Sequence, residues 1–220
     1  LFTSGSTGKP KGVMIEHSAL FNHMQWMINQ FHFTANDKVL QKTPYVFDAS
    51  VWEFYAPLLC GGTLVIAEPD AHKSPKALST LIHQQKITIA QFVPSLLEVF
   101  VQHPDVQTCH SLQQIFCGGE PLNPTLVNNT YKALLNVSVI NLYGPTETTI
   151  DASFAIIKPN TKKISIGKPI DNLHYFVLDQ QQHLLPEGLP GELYIAGVGL
   201  APGYLHQPEL TDASFINHHF

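Results

Sequence analysis

The sequence predicts an α/β fold, a doubly wound and mostly parallel sheet with helices on both faces, followed by the start of a smaller antiparallel β-rich subdomain. Two observations favour this fold. Short apolar runs alternate with helical patterns up to about Lys158, and beyond it helical periodicity gives way to short β-runs joined by Pro/Gly turns. We therefore expect part of an α/β subdomain over residues 1–157 and part of a β-rich, distorted-barrel subdomain over 158–220.

The individual elements follow from local patterns. Four apolar runs are predicted as buried strands: Thr63–Ala67, Ile87–Val93, Ile115–Cys117 and Val137–Leu142. Four segments are predicted as helices: Ser18–Gln30, Ala77–Gln84, Ser95–Gln102 and Leu126–Leu135. Two of these helices follow a capping residue and a proline, at Ser74-Pro75 and Asn123-Pro124. In the second subdomain, strands are expected at Tyr175–Leu178 and Glu192–Ile195.

Composition narrows the classes of function. The net charge is −5 and all 12 basic residues are lysines, which argues against a nucleic-acid surface and removes bidentate guanidinium recognition of anions. No apolar run reaches the roughly 18–20 residues of a membrane span, so we expect no membrane association. Cys60, Cys109 and Cys117 lack disulfide or metal spacing, which favours buried thiols in a reducing, cytoplasmic compartment. The scattered histidines do not predict a metal site.

The segment Thr3–Gly12 carries the strongest chemical signal. Its four hydroxyls, three glycines and two lysines make a loop rich in hydrogen-bond donors, whose backbone N–H groups can surround phosphate oxygens. A solvent-exposed Ser/Gly linker is the plain alternative. A Walker-type P-loop does not fit, because Gly5 and Gly8 are too close together and Pro10 stands where the Mg²⁺-binding hydroxyl belongs.

This segment resembles the signature loop of the adenylate-forming superfamily, which includes peptide-synthetase adenylation domains, acyl-CoA ligases and firefly luciferase. The resemblance implies that the loop grips the β- and γ-phosphates of ATP and the departing pyrophosphate, with Lys9 in a catalytic role. The nucleotide-binding residues implied here are Thr3, Ser4, Gly5, Ser6, Thr7, Gly8 and Lys9.

Two further segments follow predicted strands, where open α/β sheets bind their ligands. In 141–149, Tyr143 offers a flat face for adenine, Thr146 a hydroxyl for the α-phosphate and Glu147 a hard oxygen ligand for Mg²⁺. A β-turn at Gly144-Pro145 is the structural alternative. The segment 141–149 resembles the family's adenine and magnesium motif, and 118–121 resembles the loop that lies along the adenine. The resemblance adds these nucleotide contacts: Gly119, Glu120, Pro121, Asn141, Tyr143, Gly144 and Thr146. A nucleophilic Cys117 is an open alternative.

The segment Phe47–Phe54 selects the branch of the superfamily. Asp48 lies among apolar neighbours, where a carboxylate is costly to bury without a cation, and no Lys or Arg is near it in sequence. A ligand ammonium would neutralise it; a helix-capping role is the alternative. The segment closely resembles the motif with which amino-acid-activating domains hold the substrate α-ammonium, an aspartate that acyl- and aryl-activating relatives lack.

The family's pattern also implies a substrate pocket. Its lining would be Asp48, Ala49, Trp52, Gln91, Phe116, Gly118, Leu142, Ile150 and Asp151. Ala49 and Gly118 leave room for a side chain, and Gln91 offers an amide that pairs with another amide. A substrate glutamate would bring a second anion near Asp151 with no lining cation. The combination resembles glutamine-activating pockets, so L-glutamine is our hypothesis, ahead of glutamate.

The resemblance covers Leu1 to about Leu210, with one departure, since Pro202 stands where the family usually carries arginine. It implies transfer of the aminoacyl group to phosphopantetheine on a peptidyl carrier domain, next to a condensation domain, in a longer synthetase. The sequence stops before the family's ribose-binding aspartate and C-terminal catalytic lysine, so we expect the piece alone to be nearly inactive. An acyl- or aryl-CoA ligase and a non-catalytic nucleotide-binding module are the rival functions.

Overall fold

A computed structural model describes residues 1–3 and 10–217, which fall into two compact units. The sheet unit comprises Met27–Tyr143 and Ser153–Lys168. The hairpin unit comprises Leu1–Trp26, Gly144–Ala152 and Pro169–Phe220. The two units interleave along the chain, and the subdomain boundary that the sequence predicts between residues 157 and 158 stays a prediction.

The described residues form short strands and helices in alternation. In chain order the strands are β1 (Phe2–Thr3), β2 (Lys11–Gly12), β3 (Lys38–Gln41), β4 (Thr63–Ile66), β5 (Ile89–Phe92), β6 (Gln114–Cys117), β7 (Ser138–Tyr143), β8 (Ser153–Ile157), β9 (Lys168–Pro169), β10 (Leu173–Leu178) and β11 (Glu192–Gly197). The α-helices are α1 (His17–Phe31), α2 (Ala49–Leu59), α3 (Pro75–Gln85), α4 (Pro94–Gln102), α5 (Pro124–Ala133) and α6 (Pro208–Ser214).

The main sheet has seven strands in the order β4-β3-β5-β6-β7-β8-β9. Strands β4, β3, β5, β6 and β7 run parallel, and β8 pairs with β7 in the antiparallel direction. This arrangement confirms the predicted α/β class with its mostly parallel sheet. Because β5, β6 and β7 are parallel neighbours, the loops after their carboxyl ends emerge at one edge of the sheet.

Two predicted helix starts carry the expected caps. The Ser74 hydroxyl accepts a hydrogen bond from the Ala77 N–H at 3.3 Å, and the Asn123 Oδ1 accepts one from the Leu126 N–H at 2.8 Å. Each cap satisfies one N–H that the first turn of the helix leaves without an intrahelical partner, and a proline follows directly in both cases.

Removing the cap at Asn123 is expected to destabilise the sheet unit. We expect Asn123→Ala to lower the free energy of unfolding by about 1 kcal/mol, because the Leu126 N–H then loses its acceptor. Urea denaturation followed by circular dichroism measures this. Asn123→Ser keeps a capping oxygen and should stay within about 0.5 kcal/mol of the wild type; equal losses in both variants would show that the cap contributes nothing.

One apolar cluster holds the sheet unit together. Side chains from β5, β6 and β7 pack with helices α3, α4 and α5, and Leu78, Ile82, Phe92 and Phe100 are fully buried in it. Burying an aliphatic or aromatic side chain of this size stabilises the folded state by roughly 1.5–3 kcal/mol. Because β5, β6 and β7 are parallel strands covered on both faces, their sequences are nearly continuous apolar runs.

The hairpin unit is built on antiparallel pairs. Strands β10 and β11 pair over their full length, from Leu173 opposite Gly197 to Leu178 opposite Glu192. β1 pairs with β2 in the same antiparallel sense. A small buried group of Val13, Ala201 and Tyr204 lies in this unit. The pair of β10 and β11 confirms the antiparallel strands predicted after the parallel sheet. Throughout residues 1–3 and 10–217, no helix combines the length and the apolarity that crossing a bilayer would need.

Candidate active site

The carboxyl ends of β5 and β6 carry three of the predicted pocket residues. Gln91 and Phe116 are direct neighbours in the parallel register of these strands, and Gly118 follows the end of β6. A Cβ at Gly118 would lie 3.5 Å from the Leu142 carbonyl oxygen, an ordinary contact, so backbone packing does not require glycine there. The absent side chain therefore leaves space beside Leu142.

Aromatic side chains form a wall in the same unit. The rings of Trp52 and Phe116 meet edge to face with centroids 5.2 Å apart, and Phe33 lies against both. Trp52 and Phe116 are fully buried. Edge-to-face aromatic packing of this kind is worth about 1 kcal/mol beyond area burial and fixes the rings in place. Trp52 and Phe116, which the family's pattern predicts as pocket residues, therefore contact each other in the structure.

Gln91 has a polar group without a protein partner. The side chain is 5% exposed, and its Oε1 makes no hydrogen bond to any of the described residues. A buried acceptor left unsatisfied costs about 1–3 kcal/mol, so native proteins rarely retain one without a ligand or water to fill it. The amide oxygen of Gln91 is thus ready to accept a hydrogen bond from a ligand.

Asp48 is half-buried at the N-terminal end of α2. Its carbonyl accepts the Val51 N–H at 2.9 Å, which begins the helix, but its side chain makes no capping hydrogen bond. Asp48 therefore occupies the N-cap position that the alternative assigned to it, but its carboxylate does not cap the helix. Ala49, the next residue, is the first of α2.

The loop after β6 is held by its own acidic residue. Glu120 accepts hydrogen bonds from the Ser95 N–H at 2.9 Å and the Ser95 hydroxyl at 3.0 Å, at the start of α4. Gly119 has a φ of +82°, which glycine adopts without strain, and Pro121 is exposed. Glu120 thus fixes the loop predicted to lie along adenine.

Cys117 does not fit the nucleophile alternative. Burial raises the pKa of its thiol to about 12, because an anion is poorly solvated inside the sheet. The thiolate that would act as nucleophile is therefore scarce at neutral pH.

On β7, the Asn141 Nδ2 donates to the Ser165 carbonyl at 2.9 Å, and Tyr143 is 39% exposed at the strand's end.

The turn after Tyr143 belongs to the hairpin unit and is unusually tight. A Cβ at Gly144 would lie 2.6 Å from the Ala152 nitrogen and the Asp151 Cα, so only glycine fits. Thr149 and Ile150 have φ angles of 64° and 73°, values that β-branched residues rarely adopt. Such strain clusters at functional sites, where the surrounding structure over-determines it.

Glu147 lies at the centre of a polar cluster within the hairpin unit. Its Oε1 accepts hydrogen bonds from the Tyr204 hydroxyl at 2.6 Å and the Lys11 ammonium at 3.2 Å, and that ammonium lies 4.5 Å from the Tyr204 ring centroid. Partial burial raises the pKa of Glu147, but these contacts and a backbone hydrogen bond outweigh it, so the pKa lies below its ordinary value. The carboxylate is therefore anionic at neutral pH.

Asp151 has a histidine partner that the sequence did not predict. The His23 Nε2 lies 3.0 Å from the Asp151 Oδ2, and the His23 ring is 1% exposed. The Nδ1 of His23 has no hydrogen-bond partner in the described part of the chain. Both residues belong to the hairpin unit, as does Ile150, which is buried.

The centre of the predicted phosphate loop lies outside the described residues. Ser4, Gly5, Ser6, Thr7, Gly8 and Lys9 are the predicted residues concerned. Of the loop's ends, Thr3 and Lys11 are described, on the paired strands β1 and β2. Within residues 1–3 and 10–217, His, Cys, Asp and Glu form no group of three or more arranged to hold a metal ion. A magnesium ion bound with nucleotide needs less, since one or two carboxylates and the phosphates suffice.

A parallel sheet with ligand-type residues beyond its carboxyl ends is typical of nucleotide-binding α/β proteins. The model of one protein family, described as "AMP-binding enzyme", matches residues 1–205. The chain belongs to this family.

Several known proteins are similar over the whole chain. Tyrocidine synthase 3 of Brevibacillus parabrevis is 52% identical over 100% of this chain and 3% of its own length. Enterobactin synthase component F of Escherichia coli K12 is 42% identical over 98% of this chain and 17% of its own length. The chain therefore spans less than a fifth of either relative.

Solved structures of other proteins share the fold. The holo-AB3403 four-domain nonribosomal peptide synthetase, bound to AMP and glycine, superposes with a TM-score of 0.90 at 35% identity, covering 99% of this chain and 16% of that one. The N-terminal subdomain of Klebsiella oxytoca NpsA, in complex with 3-hydroxyanthranilyl-AMSN, gives a TM-score of 0.85 at 30% identity and covers 100% of this chain and 55% of that one.

Proposed function

We propose that this chain is part of a nonribosomal peptide synthetase adenylation domain, which uses ATP to activate an amino acid as its aminoacyl-adenylate. Asp48 carries this proposal, as a half-buried carboxylate whose side chain is not used to cap the helix that it precedes. The synthetases similar to the whole chain support it.

The reaction forms one bond and breaks another. A substrate carboxylate oxygen attacks the α-phosphorus of ATP, and the bond from that phosphorus to the bridging oxygen breaks, which releases pyrophosphate. Catalysis of this kind rests on positioning and on neutralising phosphate charge. The residues proposed for it are Lys9 in the phosphate loop, Thr146 for the α-phosphate and Glu147.

Glu147 fits a magnesium ligand. It is an anionic oxygen donor of the hard type that Mg²⁺ prefers, and its side chain is 19% exposed, so it is open to a nucleotide-bound ion. The ion would neutralise charge on the phosphates. The contacts of Glu147 with Lys11 and Tyr204 hold the carboxylate in one orientation before any ligand binds.

For the substrate, we propose L-glutamine. The buried Oε1 of Gln91 lacks a donor among the described residues, and a substrate carboxamide supplies an N–H for it. The γ-carboxylate of glutamate has only acceptors to offer and would leave that oxygen unpaired. Gly118 has no side chain that would compete with the substrate side chain beside Leu142, and the buried rings of Trp52 and Phe116 make the interior of this unit apolar.

Substitution of Gln91 tests the choice of substrate. In the full-length protein, amino-acid-dependent ATP–pyrophosphate exchange should be stronger with L-glutamine than with L-glutamate. Gln91→Leu should lower kcat/KM for glutamine by roughly 10²-fold, because the carboxamide loses its partner. Gln114→Leu is a matched control. Gln114 is the first residue of β6 in the same sheet, and its buried Oε1 likewise has no hydrogen-bond partner among the described residues. The control should leave the ratio of glutamine to glutamate unchanged; stronger exchange with an apolar amino acid in the wild type would refute glutamine.

The wider assembly follows from the same proposal. The aminoacyl group would pass from the adenylate to the phosphopantetheine thiol of a peptidyl carrier domain, and a condensation domain would then use it. The multidomain relatives support this arrangement.

An aryl- or acyl-activating ligase is the second candidate. NpsA, which matches the whole chain, is in complex with 3-hydroxyanthranilyl-AMSN, whose acyl part is aromatic. Asp48 favours the amino-acid branch, because a carboxylic acid without an amine brings no cation to it.

A further inference from the structure

The loop that leads to Asp48 is fastened to a buried carboxylate on the following helix. Glu53, on α2, is 0% exposed. Its Oε2 accepts the N–H groups of Lys42 and Thr43 at 3.2 and 3.0 Å, and its Oε1 accepts the Thr43 hydroxyl at 2.6 Å. Glu53 therefore joins the start of the 42–48 loop to the helix at its end, which closes the loop upon itself.

Other polar contacts hold the same loop. The Gln41 Nε2 donates to the Thr43 carbonyl at 2.8 Å, and the Ser50 hydroxyl donates to the Phe47 carbonyl at 2.7 Å. The N–H of Phe47 donates to the Pro44 carbonyl at 3.0 Å. All of these residues belong to the sheet unit.

Apolar packing contributes little to this loop. Tyr45, Val46 and Phe47 are 79%, 59% and 59% exposed. Side chains that remain in water do not hold a backbone in one place, because they bury too little surface. The hydrogen bonds at the two ends of the loop, three of them accepted by Glu53, therefore hold the backbone that leads to Asp48.

The charge of Glu53 has a nearby counterpart. Lys42 is buried, and its ammonium lies 4.8 Å from the centroid of the Phe92 ring. Burial raises the pKa of Glu53 above its ordinary value, because the charge of Lys42 and the hydrogen bonds from Thr43 and Lys42 offset it only in part. Burial also lowers the pKa of Lys42. Replacing such a buried pair by apolar residues of similar size is often neutral or even stabilising, so stability alone does not account for a buried carboxylate here.

We infer that Glu53 is a positioning residue for amino-acid binding: it fixes the 42–48 loop and thereby sets the place of the Asp48 carboxylate. The inference rests on the proposed function, in which Asp48 holds the substrate ammonium. Thr43, through its hydroxyl and N–H, is the partner on which Glu53 acts.

Two measurements on the full-length protein test this inference. Hydrogen exchange by mass spectrometry reports the protection of amides 43–51, and ATP–pyrophosphate exchange reports KM for the amino acid and for ATP. In Glu53→Gln, an NH₂ group, which donates, replaces one of the two accepting oxygens, and the oxygen that remains carries no charge. We expect amides 43–51 to lose protection by roughly tenfold while β5 and β6 keep theirs, and KM for the amino acid to rise roughly tenfold with KM for ATP within about twofold.

Three further variants serve as comparisons. Thr43→Val removes the hydroxyl and should, like Glu53→Gln, lower the protection of amides 43–51 and raise KM for the amino acid. Thr43→Ser keeps the hydroxyl, so both quantities should stay at their wild-type values. Glu98→Gln changes an exposed carboxylate on α4 and should move neither.

Three results would overturn the inference. The first is unchanged protection of amides 43–51 in Glu53→Gln, and the second is an equal loss of protection in β5 and β6. The third is a fall in kcat with both KM values unchanged, which indicates a purely structural role. If Asp48→Asn leaves KM for the amino acid unchanged, the proposed function fails, and the exchange of amides 43–51 still decides whether Glu53 positions the loop.

Discussion

Replacing Asp48 with asparagine should lower kcat/KM for the amino acid by about 10³-fold in ATP–pyrophosphate exchange with the full-length protein. The neutral amide cannot balance the ammonium of the bound substrate, and removing one partner of a largely buried ion pair costs about 3–5 kcal/mol. The variant keeps the shape of the side chain, and the wild-type carboxylate does not cap α2, so folding should be little affected.

A matched control separates this effect from a general loss of charge. Asp212→Asn changes an exposed carboxylate on α6 and should leave the exchange at the wild-type level. If Asp48→Asn activated the amino acid as well as the wild type does, the carboxylate would have another purpose and the amino-acid branch would be the wrong assignment.

Replacing Glu147 with glutamine should lower kcat by roughly 10²-fold and raise the Mg²⁺ concentration needed for half-maximal rate. An amide oxygen carries no charge to hold the ion. The substitution also removes the anion that pairs with Lys11, so the ammonium would face only a neutral amide oxygen there, beside the Tyr204 hydroxyl. A magnesium titration of the exchange rate measures the first effect.

Tyr204→Phe is the comparison for Glu147. It keeps the carboxylate but removes the hydrogen bond from the Tyr204 hydroxyl, so the magnesium requirement should change far less than in Glu147→Gln. Equal changes in the two variants would indicate that the orientation of Glu147, and not its charge, matters. An unchanged requirement in Glu147→Gln would contradict its assignment as a metal ligand.

The sequence predicted the elements whose signals are local. Capping residues followed by proline marked the starts of α3 and α5, and apolar runs marked β4 to β7 to within two residues at each end. The two-residue strands β1, β2 and β9 were missed, and so were β3 and β8. β3 is only four residues long and reads Lys-Val-Leu-Gln, with no alternation, so nothing in it separates a strand from a loop.

Helix α2 was anticipated only as an alternative, and the reason is physical. Its segment contains Trp52, Phe54 and Tyr55, residues that favour strands as readily as helices, and Pro57 lies inside it. As a helix, the segment buries Trp52 and Glu53 inside the sheet unit. Tertiary contacts of this kind override local preference.

In the candidate site, the sequence predicted residues with conspicuous chemistry but not the side chains that the structure places against them. Asp48, Gln91 and Glu147 were predicted. His23, which pairs with Asp151, is 128 positions away from it, and Lys11 and Tyr204, which meet at Glu147, are 193 positions apart. No local pattern links residues at such separations.

The direct test of amino-acid recognition compares two substrates on one protein. ATP–pyrophosphate exchange by the full-length wild type is measured with L-glutamine and with its analogue in which hydrogen replaces the α-amino group. If the Asp48 carboxylate is neutralised by the substrate amine, glutamine should be activated about 10³-fold more efficiently, and Asp48→Asn should erase most of that difference. Equal activation of the two compounds by the wild type would contradict the account.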